Sequence, residues 1–272
     1  MSDTLSFDRR EVLAGLLAGA TVASTVGLGA CVGGDSDATD SPSTQTDTDW
    51  TPGGWATGGT AALASTYDVD FSDETCAQTC ELTLGPCYAE TLERQDISES
   101  VDGLPTRMSL RIVDTDCNPV EGAVVDVWHC SPAGLYSGSD AADMCTDGDS
   151  TARAARWFRG TQTTDADGVV HFDTCMPGWY PSRAVHIHFQ VRVGGDTYVT
   201  SQLGFDETLL FDVFDTQPIY SEFGRPDTPN SSDNILSRDL SAYLFRWRQA
   251  DDGALVLHKT ITIRSSLSDG TC

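Results

Sequence analysis

The chain has 272 residues, with 41 acidic side chains against 16 lysines and arginines, for a formal net charge of −25. This charge argues against binding to nucleic acid or to anionic membranes, because their phosphate groups would be repelled. It resembles the charge of proteins from halophiles, in which high salt screens self-repulsion. An acidic surface that only serves solubility is the alternative.

Residues 1–31 are predicted to be an export signal. Arg9 and Arg10 precede an apolar run from 12 to 28, which is short and small-sided for a membrane-spanning helix. Twin arginines predict the Tat route. Cys31 ends a Leu-Gly-Ala-Cys sequence that resembles a lipobox, so we predict lipidation of Cys31 and anchoring at the extracellular face of the cytoplasmic membrane. The alternative, an uncleaved single-pass anchor, also places the domain outside the cell.

Residues 32–74 are predicted to form a disordered polar tether. Between 32 and 60 the sequence is rich in Asp, Ser, Thr, Gly and Pro, with few apolar residues that could build a core. Residues 75–272 are long enough for one domain with a buried core.

Cysteine usage indicates an oxidising compartment. Apart from Cys31, the chain has eight cysteines, and an even number in an exported chain favours disulfides, whose pairing the sequence leaves open. A zinc or iron–sulfur site at Cys76-x-x-x-Cys80 is the weaker alternative. The eight cysteines are at positions 76, 80, 87, 117, 130, 145, 175 and 272.

The remaining pattern predicts a mostly β fold, an antiparallel β-sandwich with short helices and long loops. Short helices are expected at 207–215 and around 233–243. Apolar and β-branched runs separated by turn signals predict strands at 107–114, 122–130, 168–173, 184–193, 197–205 and 255–263.

The strand at 184–193 carries the most informative pattern. His186 and His188 are two residues apart, so they leave the same face of a strand, while the apolar residues between and beyond them leave the other. The chain has only five histidines, and imidazole is a common ligand of transition metals. We therefore favour a metal site over a half-buried strand with two satisfied histidines.

The register of the following hairpin decides the position of Gln202. If Gly194-Gly195-Asp196 is a three-residue loop, Gln202 lies directly opposite His188. A two-residue loop would shift the register by one and turn Gln202 away.

Tyr180 and Arg183 sharpen the metal hypothesis. A phenol keeps its proton to about pH 10, so an ordinary tyrosine is a poor ligand. A strong Lewis acid can displace that proton, and the resulting hard phenolate suits Fe(III) better than zinc. An aromatic packing residue in a loop is the alternative for Tyr180.

Several segments in order resemble the intradiol ring-cleavage dioxygenases, the protocatechuate and catechol dioxygenases. The resemblance covers roughly residues 80–205. Its segments are Tyr-Pro-Ser-Arg-Ala-Val-His-Ile-His-Phe at 180–189, Val-Asp-Val-Trp-His at 125–129, Gly-Leu-Tyr-Ser-Gly at 134–138, and Phe-Arg-Gly-Thr-Gln-Thr-Thr-Asp at 158–165.

The resemblance implies a set of roles for matching residues. One Fe(III) per chain would be bound by Tyr136, Tyr180, His186 and His188. Tyr180 would also accept a substrate proton.

By the same resemblance, Arg183 would stabilise charge that develops on the substrate ring, Gln202 would hold Arg183 or the substrate, and Tyr88 would line the pocket. The alternative for Arg183 is a strand-edge arginine paired with an aspartate. The alternative for Gln202 is a solvent-facing strand position.

The implied reaction opens a catechol ring between its two hydroxylated carbons with O2, giving a cis,cis-muconate-type diacid. Tyr180 and Arg183 are only three residues apart, whereas well-studied members of the family have either a longer loop between these two residues or additional N-terminal architecture. Catechol, protocatechuate and hydroxyquinol all remain candidate substrates. Two other functions are open, a non-catalytic lipid-anchored β-sandwich surface binding module and a zinc hydrolase, which would need a carboxylate or third histidine.

Overall fold

The structure, a computed structural model, describes residues 50–51, 53, 67–72, 75–236 and 240–272. The predicted export signal, Cys31 and most of the predicted tether lie outside these residues. None of the helices in the described part has the length and apolar character needed to span a membrane.

Eight strands form two four-stranded sheets. The first sheet has the strand order β4-β1-β8-β7 and the second has the order β3-β2-β5-β6. The strands are β1 (Pro105–Val113), β2 (Val124–Trp128), β3 (Arg159–Thr163), β4 (Val169–Cys175), β5 (His186–Val193), β6 (Asp196–Gly204), β7 (Arg246–Gln249) and β8 (Leu255–Thr262).

The two sheets enclose one apolar core, which confirms the predicted β-sandwich. Pairings between these eight strands are antiparallel except that between β1 and β8, the first and last strands, which run parallel. Ile187 and Phe189 on β5 point into the core together with Val125 and Val127 on β2. The alternate residues on these strands therefore face away from the core, where a site can form.

The pattern predicted six of the eight strands to within a few residues. It missed β7, whose four residues Arg-Trp-Arg-Gln have no apolar alternation and are largely exposed. It indicated β3 only through the family resemblance. An edge strand that is solvated on both faces has no hydrophobic periodicity to detect.

The hairpin between β5 and β6 corrects the predicted loop but keeps the predicted neighbour. Gly194 and Gly195 both have positive φ, 61° and 95°, as a two-residue type I′ turn requires. Val193 pairs with Asp196, which is the register of a two-residue loop. A β-bulge between Val191 and Arg192 then shifts the pairing by one residue, into the register that a three-residue loop would give. His188 therefore pairs with Gln202.

The helices are short, as predicted. The helix predicted at 207–215 is confirmed, whereas the segment predicted as a helix from 233 is α-helical only from residue 240 among the described residues. Two single 3₁₀ turns lie at Asp143–Cys145 and Asn230–Ser232. The α-helices are α1 (Ser150–Ala154), α2 (Glu207–Thr216), α3 (Pro218–Ser221) and α4 (Leu240–Tyr243).

Two aromatic residues in the stretch predicted as a tether are buried. The Trp50 indole nitrogen donates to Asp212 at 2.8 Å, and its ring lies 6.3 Å from that of Trp247. Tyr67 donates to Asp252 at 2.7 Å. Large aromatic side chains gain more from burial than their polar neighbours lose. Among the described residues, contacts with the sandwich therefore start at residue 50, before the predicted domain boundary at 75.

Six of the eight cysteines form disulfides. Cys76 and Cys80 belong to different bonds, which rules out a shared metal site for this pair. Cys130 and Cys175 are buried and form no disulfide, so an even number of cysteines did not mean that all eight are paired. The three disulfides are Cys76–Cys117, Cys80–Cys272 and Cys87–Cys145.

Candidate metal centre

A row of three side chains crosses the face of the second sheet that points away from the core. Trp128 on β2 pairs with His188 on β5, which pairs with Gln202 on β6. Trp128 stacks on the His188 imidazole with ring centroids 5.0 Å apart and planes 10° from parallel. His186 lies on the same face of β5, so the strand supplies two imidazoles in fixed orientations.

The two imidazoles converge at their Nε2 atoms. The Nε2 atoms of His186 and His188 lie 3.1 Å apart. His186 Nδ1 lies 2.6 Å from the carbonyl oxygen of Ala184, so Nδ1 carries the proton and Nε2 is the potential ligand atom.

Both imidazoles are neutral at neutral pH. Burial, followed by the Arg183 charge, lowers the pKa of His186 to about 3. Burial, followed by the neighbouring His186, lowers the pKa of His188 well below its usual value. Neutral imidazole is the form that binds metal ions.

Two phenols meet the imidazoles. Tyr180 Oη lies 3.1 Å from His186 Nε2, and the Tyr136 ring lies edge-on to the Tyr180 ring at 5.8 Å. Burial, followed by Tyr180, raises the pKa of Tyr136 well above 10, and burial raises the pKa of Tyr180 to about 12. Either phenol therefore needs a cation nearby to become a phenolate at neutral pH.

These four side chains fit a hard cation. The Tyr136 hydroxyl is buried and has no hydrogen-bond partner among the described residues, which is costly unless another group satisfies it. No group of three or more His, Cys, Asp or Glu side chains in the described part of the chain could hold a metal ion. A metal site here would therefore use the tyrosines, and phenolate oxygen is a hard donor suited to a trivalent ion such as Fe(III).

Tyr136 is held firmly in place. Its backbone nitrogen donates to the carbonyl oxygen of Cys145 at 2.8 Å, and Cys145 forms a disulfide with Cys87. The Arg159 guanidinium lies over the Tyr136 ring, with Cζ 5.8 Å from the ring centroid. Tyr136 itself is only 2% exposed.

A tight turn brings Tyr180 and Arg183 to the same imidazole. Ser182 has a left-handed backbone, with φ of 71°, a conformation that is uncommon for residues other than glycine. The Arg183 nitrogen donates to the Tyr180 carbonyl oxygen at 3.4 Å. As a result, Arg183 Nη1 lies 3.4 Å from His186 Nε2, beside the convergent donor atoms.

Arg183 is held by two other side chains. Its Nη2 donates to Gln202 Oε1 at 2.5 Å, and its Nε donates to Asp233 Oδ2 at 2.8 Å. Gln202 Nε2 in turn donates to the Thr83 carbonyl oxygen at 3.1 Å. Arg183 thus pairs with an aspartate, which was the alternative role considered for it. The guanidinium nevertheless lies at the site, because the aspartate is buried behind it.

Asp233 is ionised and saturated with hydrogen bonds. Its side chain is fully buried, and besides Arg183 it accepts from the backbone nitrogens of Ala184, Ile235 and Leu236, each at 2.8 Å. Burial alone would raise the pKa of Asp233, but the hydrogen bonds from Leu236, Arg183, Ala184 and Ile235 outweigh it and lower the pKa below 3.8.

Tyr88 lies one ring away from the four potential ligands. It is half-buried and meets Trp128 edge-on at 4.9 Å, on the tryptophan that stacks on His188. Gly85, three residues earlier, has a φ of 75°, and a Cβ there would lie 3.0 Å from His188 Cε1. The segment therefore covers His188 closely enough that only glycine fits at position 85.

The structure brings Tyr136, Tyr180, Arg183, His186, His188 and Gln202 together. Three residues around the site, Asp233, Arg159 and Gly85, had no role predicted from the sequence. Asp233 is 50 residues from its partner Arg183, and no local pattern marks such a pairing. Arg159 lies within the quoted segment 158–165, so the resemblance indicated its region and not its contact with Tyr136.

Comparison with known proteins places these residues in one family. The Dioxygenase family profile matches residues 84–219, half of the chain. Catechol 1,2-dioxygenase 1 of Acinetobacter lwoffii is 27% identical over 155 residues, which cover 48% of this chain and 47% of the relative. Hydroxyquinol 1,2-dioxygenase of Nocardioides simplex is 28% identical over 167 residues, 55% of each chain. The chain thus spans about half the length of the curated relatives it matches.

A solved structure matches more of the fold. An intradiol ring-cleavage dioxygenase from Tetranychus urticae superposes with a TM-score of 0.62 and 26% identity, covering 70% of this chain and 95% of that protein. The matched family region includes all four potential ligands as well as Arg183 and Gln202, whereas Asp233 lies beyond its end.

Proposed function

The chain belongs to the intradiol dioxygenase family, and from this we propose that it cleaves a catechol-type aromatic ring with O2. The observation that carries the proposal is the convergence of two tyrosines and two histidines, with the imidazole Nε2 atoms 3.1 Å apart. The names of the matched relatives, which refer to catechol and hydroxyquinol, support an ortho-dihydroxylated ring as substrate.

We assign one ferric ion to Tyr136, Tyr180, His186 and His188. When bound, Fe(III) supplies a Lewis acid that withdraws electron density from a chelated catecholate and so prepares the ring to react with O2. Two phenolates offset two of its three positive charges, which makes a buried ion tolerable. The neutral imidazoles contribute lone pairs without adding charge.

The two tyrosines differ in exposure, and we assign them different roles. Tyr136 is enclosed and tied to a disulfide-linked loop, while Tyr180 is partly exposed on the turn that precedes β5. A catechol has to lose two protons to bind as a dianion. We assign acceptance of one of them to Tyr180 Oη, because its position on an accessible turn lets it move toward entering substrate.

Arg183 supplies a fixed positive charge beside the donor atoms. Gln202 and Asp233 hold the guanidinium, so it needs no reorganisation when negative charge develops on the substrate ring. Gln202 contributes orientation, since its amide bridges Arg183 and Thr83.

Ring opening between the hydroxylated carbons incorporates both atoms of O2 and gives a cis,cis-muconate-type diacid, so no external reductant is consumed.

The test is a visible absorption spectrum of the ferric protein before and after anaerobic addition of catechol. The proposal predicts a broad tyrosinate-to-iron band that moves to longer wavelength with catechol. A chain that stays colourless after ferric reconstitution would reject the dioxygenase and favour the surface-module alternative. Iron binding without a catechol-induced shift would reject catechol as the substrate.

Variants assign the roles. Tyr136→Phe and His188→Ala should lose iron or the band, while Tyr198→Phe, a half-buried tyrosine on β6 away from the donors, should keep both. Arg183→Ala should keep iron and colour but lose most turnover. Wild-type turnover in Arg183→Ala would reject the catalytic assignment of that residue.

We also propose that the chain acts outside the cell, exported by Tat and anchored through lipidated Cys31. Three disulfides in the described residues support an oxidising compartment. Cys31→Ser should release the protein from the membrane fraction, and lysine substitutions of Arg9 and Arg10 should block export. A membrane-bound Cys31→Ser protein would contradict the lipid anchor.

A further inference from the structure

Arg159 is a buried cation that forms no ion pair with a described carboxylate. Its side chain has no exposed surface. Nη2 donates to the Ser137 carbonyl oxygen at 2.6 Å and to that of Cys87 at 2.7 Å, and Nε donates to Ser137 at 3.0 Å. Nη1 has no partner among the described residues. Nε also lies 3.2 Å from the Ser137 hydroxyl oxygen, so every acceptor is a neutral oxygen atom. A buried charge without an opposite charge is costly, so its position needs an explanation.

The group that Arg159 faces is Tyr136. The guanidinium Cζ lies 5.8 Å from the centre of the Tyr136 ring. The nearby carboxylate of Asp140 is already engaged by Arg156, at 3.1 Å. An arginine guanidinium keeps its proton in proteins, so Arg159 is charged at neutral pH.

The backbone before Arg159 is held in an unfavourable conformation. Phe158 has a φ of 55°, which is a strained value for a bulky residue. Its ring stacks on His129 at 4.6 Å, and its nitrogen donates to Ile97. These contacts stabilise the strained residue and thereby direct the following side chain toward Tyr136.

We propose that Arg159 is a positioning and charge-balancing residue for Tyr136, and that its fixed positive charge stabilises the Tyr136 phenolate when that tyrosine binds the metal. This inference rests on the proposed function, because it requires Tyr136 to be a ligand. Arg159 also joins the Tyr136 loop to the segment carrying Cys87 through its bonds to two carbonyl oxygens. Arg159 can therefore act on Tyr136 in two ways, through its charge and through its hydrogen bonds, and different substitutions remove each.

The test compares two variants of the ferric full-length chain. Arg159→Gln keeps an amide donor but removes the charge, and Arg159→Lys keeps the charge but removes the planar fork. A phenolate without its counter-charge is easier to oxidise, so Arg159→Gln should move the tyrosinate-to-iron band to longer wavelength. Arg159→Lys should keep the wild-type band position.

Arg107→Gln is the matched control. Arg107 is also a buried arginine, but it lies in the first sheet and pairs with Asp173. Its variant should lose stability while the band and the iron affinity stay at wild-type values.

The outcomes separate the inference from the function. A coloured wild-type chain with an unmoved band in Arg159→Gln overturns the inference alone, as does an Arg159→Lys band that shifts as far as that of Arg159→Gln. A colourless wild-type chain removes the proposed function and the inference with it. If Arg159→Gln does not fold, Arg159→Met takes its place as the uncharged variant. A band that shifts in Arg159→Met and not in Arg159→Lys supports the charge role, and any other pair of results rejects it.

Discussion

Replacing Asp233 with asparagine tests whether a buried carboxylate positions Arg183. Asp233 Oδ2 accepts from Arg183 Nε and Ala184 N, and Oδ1 accepts from Ile235 N and Leu236 N, all at 2.8 Å. An asparagine presents an NH₂ group in place of one oxygen. Two of the four donors are therefore left without an acceptor, whichever way the amide is turned.

The expected loss follows from this count. Breaking a buried ion pair costs about 3–5 kcal/mol, and each unsatisfied buried donor costs about 1–3 kcal/mol. We expect Asp233→Asn to lower the free energy of unfolding by about 3 kcal/mol. For a domain of this size this corresponds to a fall in Tm of roughly 6–12 °C. Misplacing Arg183 should also reduce kcat by at least about tenfold, equivalent to about 1.4 kcal/mol of transition-state stabilisation.

Thermal unfolding by circular dichroism and oxygen uptake with catechol measure the two effects. The iron content should stay near that of wild type, because Asp233 touches Arg183 and not the four potential ligands. Asp227→Asn is the matched control: this exposed carboxylate accepts from Ser182 N in the same turn, and its loss should change stability by no more than about 0.5 kcal/mol. A Tm within 2 °C of wild type, taken here as about the resolution of the assay, together with unchanged kcat would refute the reasoning.

Three further predictions concern the surroundings of the site. Burial lowers the pKa of His129 to about 4, so between pH 6.5 and 4 only the unfolded chain binds a proton at this residue. The wild-type chain should therefore lose about 3 kcal/mol of stability as the pH falls through this window. His129→Gln should remove this loss, which reduces the slope of stability against pH by about one proton. Gly85→Ala should weaken iron binding by about tenfold, because the added Cβ meets His188. The double variant Cys87→Ser and Cys145→Ser should lower stability by about 4 kcal/mol and weaken iron binding, because it frees the loop that carries Tyr136.

Each prediction has a measurement or a control that can contradict it. For His129→Gln, urea unfolding at several pH values is the measurement, and an unchanged slope would contradict burial of the neutral ring. Gly148→Ala has the same left-handed backbone, with φ of 68°, and no neighbour within 4 Å, so it should leave iron affinity intact. Serines at Cys76 and Cys117 remove a disulfide of similar loop length, 41 residues against 58, and should cost stability without changing iron affinity. Equal iron loss in both disulfide variants would reject the proposed loop effect.

The local part of the site could be predicted from the sequence. The alternation along β5 identified the face that carries His186 and His188, because side-chain direction in a strand depends only on parity. The position of Gln202 opposite His188 was predicted with an incorrect loop. The two-residue turn and the bulge each shift the register by one residue, so their effects cancel. A sequence pattern indicates which residues share a face of the sheet. It does not distinguish a three-residue loop from a two-residue turn followed by a bulge, because both place Gln202 opposite His188.

Contacts between distant segments could not be predicted in this way. The pairing of Asp233 with Arg183, the clearance that Gly85 gives His188 and the guanidinium of Arg159 over Tyr136 all depend on how loops fold onto the sheet. The cysteines show the same division. Their number indicated disulfides, while the partners depended on which sulfur atoms the fold brings together.

By itself, the sequence determined the β-sandwich class, the strand with two histidines and, through family motifs, the tyrosines and arginine that accompany them. These features depend on short-range periodicity and on segments that are contiguous in the chain. Only the tertiary structure decided that the two Nε2 atoms lie 3.1 Å apart, that the Tyr136 hydroxyl lacks a partner among the described residues, and that Arg183 is held by Asp233. The physical reason is that a metal centre requires donor atoms to converge within a few ångströms, and the core and covering loops set that convergence.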